Sequence, residues 1–242
     1  MGFWDFIYSF GIILSLIMMV VSLIISARCK SAFNKYSKVA TSNGMTGAMA
    51  AQYILQAYGV TDVSIQHISG DLTDNYSPKD KTLNLSDSVY NTASVAAVGV
   101  AAHECGHAIQ HNVGFMPNKI RSLLVPFANI GSRLGPYVAI IGAAMMGYLN
   151  SNYSDNALGS TIFWVGILMF TFAVLFYLVT LPVELDASRR ALKILEGNGL
   201  LQGKEMKGAR SVLSAAAMTY VAAAASAILT LLRLISYGKR RN

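Results

Sequence analysis

Two histidines four residues apart, His103 and His107, bracket a glutamate in the string His103-Glu104-Cys105-Gly106-His107. On a helix, positions i and i+4 lie on one face about one turn apart, so two imidazoles there can grip one divalent ion. The glutamate between them can take a proton from water at that ion. These residue types at this spacing predict a zinc-dependent metallopeptidase, with His103 and His107 as metal ligands and Glu104 as general base. The alternative is a non-catalytic membrane scaffold or regulatory protein with a structural or vestigial metal site. A structural site needs no glutamate between its histidines, and this chain has one.

A catalytic zinc ion usually takes three protein ligands. His111 is the nearest candidate in the chain. It lies a further turn along the same expected helix, with no glycine between His107 and His111 to break that helix. Glu184 fits better as the third metal ligand. It follows Pro182, a residue favoured at helix starts, and it begins a helix expected over Val183 to Leu195. It also stands just past the second of two apolar runs that form a membrane hairpin, so the chain has returned to the side it left. His103, His107 and Glu184 are therefore expected on one face of the membrane, around one Zn²⁺ per chain. Asp186 is a weaker rival, because two residues along a helix it points away from Glu184. Arg189, Arg190, His67 and the tyrosines are all candidates for a second oxyanion donor, and spacing singles out none of them.

These residues must be carried by a membrane protein. The 242-residue chain is 54% hydrophobic and only 13% charged, against about 25% charged in soluble domains, and its mean hydropathy is +0.46. Phe6 to Ile25 is an uncharged apolar run of the length that crosses a bilayer. It is expected to be an uncleaved anchor, since no basic region precedes it and no A-x-A-like site follows. Further apolar stretches cover Leu123 to Leu149, Leu158 to Pro182 and Val212 to Ile235. The last contains Arg233 and is either a fourth span or a helix packed on the others. In the second, Gly131 and Gly135 form a small-xxx-small pair that permits close helix packing.

The net charge of +7 does not point to nucleic acid, because the basic residues cluster beside apolar segments, where anionic lipid is the partner. Eight basic residues fall in positions 27–121 and six in 183–211, while 1–6 and the loop 150–157 hold none. The positive-inside rule puts the two basic segments, and the predicted active site, in the cytoplasm of a multi-pass plasma-membrane protein. The expected division is an anchor (1–27), a zincin-like segment (28–121), a transmembrane hairpin (122–182), a helix with the third ligand (183–211), and a final apolar helix with a basic tail (212–242).

Within 28–121, Ser42 or Asn43 is expected to cap a helix from about Met45 to Tyr58, ended by Gly59. Val63 to Ile68 and Thr82 to Leu85 read as short strands around a turn-rich Gly70 to Lys81. Ser86 or Asp87 is expected to cap the helix that carries the histidines, which ends by Asn112 to Gly114. Cys29 and Cys105 imply no disulfide framework, and Cys105 reads as a packed small side chain. Asp71, Asp74 and Asp80 lack the spacing of a calcium loop and read as turn residues. The fold class is a mainly α membrane protein: three or four transmembrane helices with a small zincin-like α+β catalytic unit built on the HExxH helix.

Four motifs together resemble the YugP-type membrane zinc peptidases of bacteria. They are Val100-Ala101-Ala102-His103-Glu104-Cys105-Gly106-His107-Ala108-Ile109-Gln110, Gly70-Asp71-Leu72-Thr73-Asp74-Asn75-Tyr76, Leu83-Asn84-Leu85-Ser86, and the stretch from Leu181 to Leu192 that contains Glu184. The resemblance covers nearly the whole chain. It implies a neutral zinc metallopeptidase of the cytoplasmic membrane acting on peptide or membrane-protein substrates. A more distant similarity is to HtpX-type and CAAX prenyl membrane peptidases, whose third-ligand glutamate opens an E-x-x-A-D pattern. Here Glu184 and Ala187 match it, and Ser188 replaces the aspartate that supports a ligand histidine in those relatives. Ser188 and Asp186 are therefore expected to support the ligands. By analogy with zinc peptidases generally, Leu83, Asn84 and Leu85 are expected to form an edge strand that pairs with extended substrate.

Overall fold

The computed structural model describes residues 2–147 and 157–239. Six helices and three strands follow one another as α1 (Phe3–Tyr36), α2 (Gly47–Ala57), β1 (Ser64–Ile68), β2 (Asn75–Ser77), β3 (Thr82–Ser86), α3 (Val95–Asn112), α4 (Met116–Met145), α5 (Ala157–Gly197) and α6 (Lys204–Lys239). Nearly all of the loop 150–157 lies outside the described residues, as do Arg240 and Arg241. The chain forms two compact units. One comprises 1–23, 119–181 and 220–242, and the other 24–118 and 182–219. Helices α1, α5 and α6 each contribute to both.

In the first unit α1 is apolar on all sides. Ile12, Ile13, Leu16, Ile17, Val20 and Leu23 are all exposed, an arrangement that suits lipid and not water. Four helices among the described residues are long and apolar enough to cross a membrane: α1, α4, α5 and α6. The chain is a mainly α membrane protein with a small α+β part. Helices α4 and α5 run backbone against backbone. A Cβ on Gly135 would lie 2.8 Å from the Phe170 nitrogen, and one on Gly142 only 2.6 Å from the Phe163 Cα. Gly131 meets the Met169 backbone in the same way, so the small-residue pair is where the hairpin closes. Arg233 on α6 donates from Nη1 to Ser15 Oγ on α1 at 3.1 Å, and its stem fills the space that Gly11 leaves open.

The second unit holds the sheet and the HExxH helix. Strand order is β1-β3-β2, with β1 parallel and β2 antiparallel to β3. The tight return from β2 to β3 takes Lys81 into a positive φ of 51°, and Ser77 Oγ donates to Asp80 across it. The short strand β2 lies inside the stretch read from sequence as turn alone. Leu83 and Leu85 are fully buried with Ile54, Ala50 and Ala51 of α2 and Val95, Val98, Ala101, Ala102 and Cys105 of α3. Burying each such leucine is worth roughly 1.5–3 kcal/mol. Cys105 is packed here, with Sγ 3.7 Å from the Ala51 carbonyl, and burial pushes its thiol pKa up.

Several helix boundaries differ from the sequence reading. Helix α2 is capped by Thr46, whose side chain accepts from the Met49 amide, and Asn43 instead accepts from the Met45 amide in the preceding turn. Helix α3 is capped by Ser94, not Ser86 or Asp87. Ser86 is still in β3, with its amide and hydroxyl both held by Asp74, and Asp87 is committed to the Gly70 amide and His67. Asp74 is thus a strand clamp rather than a free turn residue. Pro182 does not start a helix, because α5 runs unbroken through it. A proline removes one intrahelical hydrogen bond, and the buried packing of Val183, Ala187 and Ala191 holds the helix beyond it.

Candidate metal centre

Helix α3 supplies the histidines because its cap and alanine-rich face fix its register against the sheet, leaving His103 and His107 stacked on the opposite side. Their ring centroids are 4.8 Å apart at 84°. Helix α5 crosses that face. A Cβ on Gly106 would meet the Ala187 carbonyl oxygen at 2.7 Å and its Cα and carbonyl carbon at 3.2 Å. Only glycine permits this approach, and the approach delivers Glu184 to the histidines. Glu184 is 2% exposed. Its Oε2 lies 3.2 Å from His103 Nε2 and 3.4 Å from His107 Nε2.

Each of the three residues offers one donor atom, and these atoms lie within 4.8 Å of one another. For zinc–ligand bonds of about 2.0–2.1 Å at a tetrahedral angle, neighbouring donors stand about 3.3 Å apart. The two His–Glu separations match that edge, and a buried carboxylate with two imidazoles is a donor set zinc accepts. The residues fit the ion.

Electrostatics support a cationic site. Burial works against ionising Glu184, yet the hydrogen bonds from His103 and His107 outweigh it and hold the carboxyl well below the usual carboxylate range. Burial likewise works against a proton on His107, and the hydrogen bond to Glu184 and the charge of Glu104 more than offset it, raising its pKa. Glu104 is 8% exposed, close enough for its charge to act on His107, and among the described residues its carboxylate has no hydrogen-bond partner.

The other expected site residues are distributed as follows. Ser188 Oγ lies 3.1 Å from His103 Nδ1, so the serine stands against that imidazole without a charge. Asp186 turns away from the ion position. Its carboxylate binds Arg190 Nε at 2.5 Å and Gln110 Nε2 at 2.9 Å. His111 is one turn on and pairs with the Tyr76 hydroxyl at 2.9 Å. His67 pairs with Asp87 and stacks on Tyr90, and Arg190 lies over the Phe115 ring. The expectation that Leu83, Asn84 and Leu85 form a free edge is corrected. They lie on the central strand, with Leu83 and Asn84 paired to both β1 and β2 and Leu85 paired to β1, so this strand is not the edge of the sheet.

Gln110 and Gly106 escaped the reading as site residues, although both lie in the quoted motif. Gln110 is fully buried and lies 3.1 Å from His107 Nδ1 through its Oε1. The signal was a glutamine three residues past His107, directly after the apolar pair Ala108-Ile109.

A family model described as "Putative neutral zinc metallopeptidase" matches residues 11–239. The chain belongs to this family. It is also 40% identical over 208 residues to the "Putative membrane protease YugP" of Bacillus subtilis (strain 168), covering 86% of this chain and 87% of that protein. No solved structure matches the chain. The family's description names zinc, the ion that the donor set around Glu184 fits.

Proposed function

We propose that this chain is a membrane-embedded zinc metalloendopeptidase, with His103, His107 and Glu184 as ligands to one Zn²⁺ and Glu104 as general base. The convergence of both imidazoles on one buried Glu184 oxygen carries the reading. When bound, zinc would polarise the scissile carbonyl and lower the pKa of water beside it. Glu104 accepts the proton of the attacking water and passes it to the leaving nitrogen, as its otherwise unengaged carboxylate permits. Ser188 and Asp186 steady the ligand helices through His103 and Gln110. Segments 28–121 and 183–211 form the catalytic part, and 1–27, 122–182 and 212–242 lie in or beside the bilayer.

The decisive experiment is metal analysis with hydrolysis of an unstructured protein such as casein, using the full chain in detergent. About one zinc per chain is expected, with activity lost on stripping by a chelator and restored by zinc. Hydrolysis indifferent to the chelator, or a chain that takes up no zinc, contradicts the assignment.

The catalytic part is assigned to the cytoplasmic side, on the clustering of basic residues in positions 27–121 and 183–211. Lys79 is exposed in the β2–β3 turn. In intact cells a Lys79→Cys variant should resist a membrane-impermeant maleimide and react once the membrane is opened. Labelling of intact cells would invert the orientation.

A further inference from the structure

Gln110 is the one fully buried polar side chain on α3, and every one of its contacts bears on the ligand set. Its Nε2 lies 2.8 Å from the Val183 carbonyl oxygen and 2.9 Å from Asp186 Oδ2. Its Oε1 lies 3.1 Å from His107 Nδ1. The amide could in principle be turned end for end, so its direction follows from its partners. A backbone carbonyl can only accept, and the Asp186 carboxylate, held by Arg190 at 2.5 Å, also accepts. The NH₂ end must therefore face both of them, and the carbonyl end must face His107.

That orientation dictates the imidazole. Facing a carbonyl oxygen, His107 Nδ1 carries a hydrogen, which leaves Nε2, 3.4 Å from Glu184 Oε2, as the ring nitrogen able to bind an ion. The same amide grips the carbonyl of Val183, the residue immediately before Glu184. One side chain thus sets the tautomer of one ligand and the position of the helical turn that carries another.

We propose that Gln110 is a positioning residue of the metal centre: its amide, oriented by Asp186 and Val183, locks His107 in the Nδ1–H tautomer and ties α3 to the turn of α5 bearing Glu184. This rests on the metallopeptidase reading above. The relay runs Arg190 to Asp186 to Gln110 to His107, with each donor and acceptor determined by the one before it. His103 has no such determinacy, because the Ser188 hydroxyl can donate or accept.

The test is zinc affinity of the full chain in detergent, by competition with a chromophoric chelator, together with the visible spectrum of the cobalt-loaded protein. Gln110→Leu keeps the volume and removes both hydrogen-bonding ends. It should lose about 10–100-fold in zinc affinity, the effect of disturbing a ligand's orienting partner, and shift the cobalt bands. Gln110→Glu should also weaken binding, because a carboxylate oxygen then faces two acceptors. Adding Asp186→Asn to Gln110→Glu should recover part of the loss, since an amide donor now meets that oxygen. This recovery is read within a second pair of variants and does not depend on the leucine variant folding. Unchanged zinc affinity and cobalt spectrum in Gln110→Leu, or no recovery in the double variant, overturns the proposal alone. A wild-type chain that binds no zinc overturns the metallopeptidase reading and this proposal with it.

Discussion

Glu104→Gln is expected to lower peptide hydrolysis by about 10²–10⁴-fold, the range of a positioned general base, while the protein keeps its zinc. The substitution preserves shape and removes only the charge and the basic oxygen. Glu104 contributes no atom to the His103–His107–Glu184 cluster, so the ligands stay in place. Loss of its charge also removes one of the influences that favour a proton on His107, which if anything eases metal uptake. The check is kcat on a quenched peptide, measured beside zinc content on the same preparation. Full activity in the variant would exclude Glu104 as the base. Loss of both activity and metal would mean that the residue serves the site's structure instead.

Glu184→Ala should produce the opposite pattern, with zinc and activity lost together. The carboxylate is buried and receives both imidazoles. Its removal leaves only the two imidazoles of the three-residue cluster and a cavity between α3 and α5. The affinity loss should exceed the roughly 10–100-fold expected when only a ligand's orienting partner is disturbed, and so should exceed that of Gln110→Leu. Equilibrium dialysis against buffered zinc reads it directly. Retention of zinc at wild-type affinity would remove Glu184 from the ligand set and with it the geometric basis of the proposed mechanism. Asp186→Asn provides the internal comparison: it lies two residues away, outside the cluster of donor atoms, and its zinc affinity should fall far less.

Much of this arrangement is legible one segment at a time. The four-residue interval of His103 and His107 places both rings on one helix face without any knowledge of the rest of the chain. The glycines Gly59 and Gly114 stop α2 and α3 where their positive φ values of 67° and 66° allow the chain to turn. Helix boundaries fail where a local signal is outbid by a distant partner. Ser86 is a good cap by composition, but Asp74, twelve residues earlier, already holds its amide and hydroxyl. Pro182 reads as a helix start, but packing of Val183 and Ala187 on α3 carries α5 straight through.

What the sequence alone determined is whatever depends on interval and run length: the histidine face and the spans apolar enough for lipid. What only the tertiary structure decided is whatever depends on contacts between distant segments. Strand order is one such case, because β3 pairs on both flanks and Leu83 to Leu85 cannot be an edge. The amide of Gln110 is another, since its partners Val183 and Asp186 lie more than seventy residues away. Periodicity is written in neighbouring residues and survives in any fold, whereas a buried hydrogen bond gets its partner only when two helices pack at one distance, here set by a missing side chain at Gly106.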